Sequence, residues 1–254
     1  MNDTNIMFLG TTACIFDKND DTPSFLINKK YLFDTGFALV NNLVNNDIDP
    51  LSIKYLFFTH MHHDHYISLP SFLFYYMQKG GDVKKLKIIG PAKDVRRIVE
   101  KAMSFSESKS WENKTPQIIE LEPGEIFETD DTTFETCESI HGVQGICYRI
   151  TDKNTGVVIC ATGDTQLNSK LDTFFKECDL LVHEISLGFE ENPTIRHGHS
   201  TVYEAVNLAN CVGAKKLFFV HNSKKIKDDV IEYAKANFQG DMALWPEKGV
   251  YYTI

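Results

Sequence analysis

The chain has 254 residues, 43% hydrophobic and 24% charged, which predicts one domain over 1–254 with an apolar core. Its formal charge of −9 argues against a general nucleic-acid binder, which needs a basic face for phosphates. The six cysteines form no Cys-x-x-Cys pair, the start carries no signal-peptide pattern, and no apolar run approaches a membrane span. A reducing, cytoplasmic compartment with no membrane partner is therefore expected.

In chain order, Ile6 to Gly10 reads as an opening strand, followed by a polar loop from Asp17 to Pro23. Ser24–Ile27 and Tyr31–Phe33 form a hairpin pattern closed by Asn28-Lys29-Lys30. A helix is expected over Phe37–Asn45, a buried strand over Ile53–Thr59 and an aromatic-rich helix over Leu69–Lys79, stopped by Gly80-Gly81. Lys85–Ile89 reads as a strand, with Gly90-Pro91 opening a helix over Ala92–Met103, and 104–115 as an exposed polar loop. Strands follow at 117–121, 133–140, 145–150 and 157–161, then a short helix near 170–177 and a strand at Leu180–His183. A loop through Pro193, a helix over Thr201–Val212 and a strand at Leu217–Val220 complete the pattern. Two β-rich stretches with flanking helices predict the α/β class: an αββα sandwich of two mixed sheets flanked by helices.

The nine histidines are unevenly placed, with none before residue 60. Four lie in Thr59-His60-Met61-His62-His63-Asp64-His65, which contains His-x-His-x-Asp-His. Imidazole nitrogens and carboxylate oxygens are good ligands for zinc and similar ions. In a loop, His60 and His62 can face one ion while Asp64 and His65 turn towards a second. His141, Asp164 (after the turn Thr162-Gly163) and His221 each follow a predicted strand end, where loops on a rigid sheet converge into sites. A lone histidine is more often a hydrogen-bonded or surface residue; the set points to a two-metal centre.

This arrangement resembles the metallo-β-lactamase superfamily over nearly the whole chain. The resemblance implies that His60, His62 and His141 bind one metal and Asp64, His65 and His221 the other, with Asp164 bridging. Leu32-Phe33-Asp34-Thr35-Gly36 is similar to the first motif of that family, in which Asp34 would support the metal loop. As a plain turn residue, Asp34 would have no such task.

Further motifs resemble the ribonuclease Z branch: Asp64-His65-Tyr66-Ile67-Ser68-Leu69-Pro70 with Ile88-Ile89-Gly90-Pro91, His183-Glu184-Ile185-Ser186, and His197-Gly198-His199-Ser200-Thr201. The resemblance implies that Glu184 orients His199, which faces the scissile phosphate as a proton donor. Otherwise Glu184 is a surface charge and His199 a neighbour of a helix cap at Ser200. His183 and His197 take no assigned role, and His63 is expected to face away.

Bacterial members of that branch carry a tRNA-gripping arm between the residues matching His141 and Asp164. Here only 22 residues separate the two, and predicted strands fill most of them. The layout is similar to compact relatives that hydrolyse small phosphodiesters, including phage enzymes that destroy the cyclic pyrimidine signals of Pycsar defence. It implies a dinuclear-metal phosphodiesterase with Asp64, Glu184 and His199 catalytic, zinc as the ions with manganese as the alternative, and a small cyclic nucleotide as substrate. It further implies a homodimer and no long nucleic-acid partner. Alternatives are a tRNA 3′-processing endonuclease, a lactone, thioester or β-lactam hydrolase on the same fold, and a non-catalytic binding protein. Tyr66, Phe72, Phe74, Tyr75 and Tyr76 are candidates to stack on the base, although helical spacing favours a core or interface place for most of them.

Overall fold

A computed structural model describes residues 3–105, 114–191 and 197–254. The first half builds β1 (Asn5–Gly10), β2 (Ser24–Ile27), β3 (Tyr31–Phe33), α1 (Leu39–Asn45), β4 (Tyr55–Phe57), α2 (His63–Tyr66), α3 (Leu69–Gln78), β5 (Lys87–Pro91), α4 (Val95–Ser104) and β6 (Gln117–Leu121). The second half builds β7 (Ile126–Glu128), β8 (Thr132–Ser139), β9 (Gly145–Asp152), β10 (Val158–Ala161), α5 (Lys170–Phe174), β11 (Leu180–Glu184), α6 (Val202–Val212), β12 (Lys216–Val220), α7 (Lys227–Asn237) and β13 (Met242–Leu244). The last strand, β14 (Tyr251–Thr253), returns to the first sheet beside β1.

The strands form two seven-stranded sheets, ordered β14-β1-β2-β3-β4-β5-β6 and β13-β12-β11-β10-β9-β8-β7. Each is antiparallel on one side and parallel on the other: β3 to β6 run parallel in the first, β10 to β13 in the second.

Alternation along the strands sorts side chains into three apolar layers. Ile6 and Phe8 of β1 point between the sheets with Phe33, Phe57, Phe134, Tyr148 and Phe218. Met7 and Leu9 point outward, onto a layer shared with Leu39, Leu43, Phe72, Leu73, Ile98 and Val99 from α1, α3 and α4. On the far side Leu181, Phe219 and the buried Cys147, Cys160 and Cys178 pack under α5, α6 and α7. The architecture is the expected αββα sandwich. Among the described residues no helix is long and apolar enough to cross a membrane.

Several local expectations need correction. Gly90-Pro91 does not open a helix: both pair with Glu120 and Leu121 as the end of β5, and the helix begins at Val95. Proline is tolerated there because a strand's last residue loses little by lacking an N–H. The cap of α6 is Thr201, which exchanges hydrogen bonds with Glu204 in a capping box, while Ser200 is buried and donates to the Thr165 carbonyl. Phe72 and Tyr76 belong to the core, so neither can stack on a ligand. Most of the loop expected over 104–115, and the end of the loop through Pro193, lie outside the described residues.

The rings between the sheets are in close contact. Phe57 stacks on Phe33 at 4.8 Å and on Phe134 of the opposite sheet at 4.3 Å, and is fully buried. Replacing it by alanine removes one of the ring contacts joining the sheets and leaves a void. Phe57→Ala is expected to lose about 3–5 kcal/mol of stability, read by urea unfolding, and Phe57→Leu clearly less.

Candidate metal centre and active site

Strands β4, β8, β10, β11 and β12 all deliver their C-terminal ends to one edge of the sandwich. A backbone bridge between His60 and Gly145, with Ile146 donating to the Thr59 carbonyl at 2.8 Å, ties the two sheets together there. All seven expected ligand residues meet at this edge. His60 follows β4, His62 to His65 form the entry and first turn of α2, His141 follows β8, Asp164 follows β10 and His221 follows β12. His63, by contrast, is exposed and packs against Phe37 and Tyr66.

The donor atoms form two groups. His60 Nε2 lies 3.2 Å from His62 Nδ1, and His141 Nε2 lies 2.8 Å from the same atom. His65 Nε2 and His221 Nε2 are 3.4 Å apart, and Asp64 Oδ2 lies 3.7 and 3.4 Å from them. For comparison, ligand atoms 2.0–2.1 Å from a tetrahedral ion sit about 3.3 Å from one another. The Asp164 carboxylate stands between the groups. Its Oδ2 is 3.7 Å from His60, 3.9 Å from His141 and 3.2 Å from His221, and its Oδ1 is 3.5 Å from His65.

The surroundings fix which nitrogen faces inward. His65 Nδ1 donates to Asp34 at 2.9 Å, His60 Nδ1 to Thr59 Oγ1 at 3.1 Å, and His141 Nδ1 to the Gly198 carbonyl at 2.9 Å. His221 Nδ1 donates to Ser186 Oγ at 2.6 Å, while that hydroxyl donates to the His221 carbonyl at 3.1 Å. Each of these four rings thus turns Nε2 into the cluster, the nitrogen that would bind a metal ion once any proton on it is displaced. Asp34, held at φ +55, also accepts from Thr59 N and Oγ1 at 2.9 Å, so it supports the metal loop and is no plain turn residue. Ser186 and Thr59 are positioning residues that the motif reading passed over. Ser186 stood in a quoted motif, but its task depends on a residue 35 positions away.

Two glycines make the close approaches possible. Gly163 has φ +57, and a Cβ there would lie 2.5 Å from Thr59 Cβ. Gly198 has φ +77, and a Cβ there would lie 2.5 Å from the His141 Cα. The turn at Gly198 also delivers His199, whose Nδ1 lies 3.1 Å from Glu184 Oε1. Glu184 is buried and accepts three further backbone N–H groups, from Thr165, Ser200 and Ser186. It is no surface charge. His183 points into the helix-covered side, with its Nδ1 on the Glu184 carbonyl. His197 lines the cleft.

Burial sets the electrostatics. It pushes the pKa of His60 far down, assisted by the neighbouring His65, and lowers those of His62 and His141. Burial opposes protonation of His65 too, but Asp164 and Asp34 outweigh it and hold that pKa well above the ordinary histidine range. Burial would raise Asp164, yet His221, His65 and His60 keep its carboxyl well below the usual range. A buried anion ringed by imidazoles, with Oδ1 accepting no hydrogen bond among the described residues, suits divalent cations. The cluster fits a divalent-metal site.

The family model for anti-Pycsar protein Apyc1 matches residues 4–244. The chain belongs to that family. Wider relatives are ribonuclease Z proteins: that of Oceanobacillus iheyensis is 26% identical, with 92% of this chain and 95% of the relative covered. That of Bacillus subtilis is 26% identical, covering 88% and 90%. The first alignment runs over 292 positions, more than this chain has residues, so that relative carries insertions lacking here. The metallo-β-lactamase fold protein YhfI from Bacillus subtilis superposes with a TM-score of 0.84 at 20% identity, covering 99% of both chains. Human tRNase Z, short form, superposes at 0.79 with 21% identity, covering 98% and 99%. These likenesses establish the metallo-β-lactamase fold and its ribonuclease Z-like branch.

Removing the Asp34 carboxylate frees the His65 ring and leaves a buried Thr59 N–H without a partner. Asp34→Ala is expected to weaken metal binding about 10- to 100-fold, read by competition with a chromogenic chelator. Unchanged affinity would show that the metal loop holds its shape without Asp34.

Proposed function

We propose that this chain is a dinuclear-metal phosphodiesterase that opens small cyclic nucleotides to nucleoside monophosphates. In this reading His60, His62 and His141 hold one ion, and Asp64, His65 and His221 the other. Asp164 is shared between them. Zinc is the expected metal, with manganese as the alternative, since imidazole and carboxylate donors suit both. When bound, such ions supply Lewis acidity and a water acidified towards neutrality.

The observation that carries the proposal is the Glu184–His199 pair at the edge of the cluster. The His199 ring packs 4.9 Å from His141 and stacks 5.7 Å from His221. Its Nδ1 is committed to Glu184, which leaves Nε2 to serve the cleft. Burial works against a charge on His199, but the hydrogen bond and charge of Glu184 raise its pKa above 6.5. A protonated His199 can stabilise a phosphoryl oxygen and give its proton to the departing alkoxide.

Cleft size and chain layout favour a small substrate. The hollow lined by Cys14, His62, Asp64, Ile140, His141 and His199 has a volume of about 500 Å³, the scale of a nucleotide pocket. Residues 142–163 between His141 and Asp164 are spent largely on β9 and β10, so no tRNA-gripping arm stands there. The net charge of −9 points the same way. Membership of a family described as anti-Pycsar supports cyclic nucleotide immune signals inside the cell as the biological target. The proposal includes a homodimer, supported by exposed Phe74 and Phe105 around a hollow with Val40 and Tyr75. A tRNA 3′-processing activity is the second reading, favoured by ribonuclease Z relatives that align over nearly their whole length.

Metal-loaded protein is expected to open cyclic pyrimidine or purine mononucleotides and to leave precursor tRNA intact. Cleavage of the tRNA trailer with cyclic nucleotides untouched would reverse the order of the two readings. His199→Ala should keep its metals and lose about 10²- to 10⁴-fold in kcat. The loss should shrink for a nitrophenyl phosphodiester, whose leaving group needs little protonation; an equal loss would make His199 a phosphate binder only. The acid form of His199 is the active one, so activity falls as pH rises through its pKa. Glu184→Gln removes the group that raises that pKa, so the alkaline limb of the kcat profile should move to lower pH.

A further inference from the structure

The cleft over the His/Asp cluster is bordered by apolar residues from two loops. Ile140 and Gly142 stand on one side, and on the other Cys14 begins an exposed loop tip, Cys14-Ile15-Phe16. The base of that loop is firmly tied. Thr11 N and Oγ1 donate to Asp20 at 3.1 and 2.8 Å, and Lys224 Nζ lies 2.7 Å from the same carboxylate. Asp17 accepts from Ser223 Oγ and Lys224 N, and His221 N donates to the Thr11 carbonyl at 2.7 Å. The loop is therefore fixed to the turn that carries a proposed metal ligand.

On this tied base sits an apolar tip in water: Ile15 is 85% exposed and Phe16 48%. The Phe16 ring lies 5.5 Å from that of Phe37, which is 40% exposed, and Phe37 lies 5.6 Å from the ring of His63. His63 stands in sequence between His62 and Asp64. Phe37 is held in turn by its N–H on Thr22 Oγ1 and by Ser68 Oγ on its carbonyl. A row of rings thus runs from the loop tip to the residue between two proposed metal ligands, and Cys14, two residues before Phe16, lines the cleft itself. The aromatic helix α3 offers no equivalent, since Phe72 and Tyr76 are buried and Phe74 and Tyr75 line a different hollow.

We infer that Phe16, backed by Phe37, is the surface on which the substrate's nucleobase stacks while its phosphate lies at the His/Asp cluster. The inference rests on the proposed opening of a base-bearing cyclic phosphodiester and names the residues that grip the base. A ring already exposed on a tied loop and packed against a second ring gains stacking energy at a reduced ordering cost on binding. Stacking tolerates any base, so the platform provides grip rather than base selection.

The test compares wild type, Phe16→Ala, Phe16→Tyr and Ile140→Ala on a cyclic mononucleotide and on its base-free counterpart, 1-O-methylribose 3′,5′-cyclic phosphate. Phe16→Ala is expected to raise KM for the cyclic nucleotide about 5- to 150-fold, the worth of one stacked base, with little change in kcat. KM for the base-free compound should not follow it, and Phe16→Tyr, which keeps a ring, should lose less than Phe16→Ala. An unchanged nucleotide KM in Phe16→Ala, an equal rise for the base-free compound, or the rise in Ile140→Ala instead would overturn the inference while leaving the phosphodiesterase reading intact. A wild-type protein that opens no cyclic nucleotide would overturn both.

Discussion

The active edge is organised around one buried carboxylate. Asp164 is 4% exposed, sits within 4.0 Å of five imidazole nitrogens, and has an oxygen without a hydrogen-bond donor among the described residues. Burying an anion is costly unless cations or donors meet it, so the site is built to bring positive charge to this point. The design starts in the backbone. Gly163, in a left-handed conformation against Thr59, is what lets Asp164 reach between the two donor groups.

From there the support spreads through both sheets. Asp34 fixes Thr59 and His65, Thr59 fixes His60, Gly198 fixes His141, and Ser186 fixes His221. These partners come from the β3–β4 side of one sheet and the β11–β12 side of the other. The packing of Phe33, Phe57, Phe134 and Tyr148 between the sheets is therefore also what holds the two halves of the cluster at a fixed distance. The same frame places Glu184 against His199, so the proposed proton donor and the His/Asp cluster share one rigid support. In the proposed reading, grip on the substrate then falls to the exposed loop tip at Phe16, and its size to the short connection from His141 to Asp164.

Legibility in the sequence followed the strength of local signals. The convergence of the His-x-His-x-Asp-His run with His141, Asp164 and His221 was legible because residues of ligand type coincide with the ends of β-branched or aromatic strands. The sandwich was legible because the central strands are nearly all apolar. The edge strands β7, β13 and β14 have three residues each, too short to show a period of two. Helix α7 buries only Val230 and Ala234 and so carries little apolar pattern. Gly90-Pro91 read as a helix start because proline favours that position, yet pairing with β6 decided otherwise. The anchoring roles of Ser186, Asp17 and Asp20 depend on partners far along the chain, which a single sequence does not display. The rings of α3 suited a core or an interface by their helical spacing, and Phe72 and Tyr76 are indeed buried, whereas Phe16, just before the polar loop from Asp17, belongs to no periodic run.

The central claim is that one carboxylate serves two ions. Native mass spectrometry of protein loaded with zinc or manganese tests it directly, comparing wild type with folded Asp164→Ala. The account predicts two ions per wild-type chain and loss of at least one from the variant. A wild-type chain that takes up one ion or none, or an Asp164→Ala chain that still holds two, would contradict it.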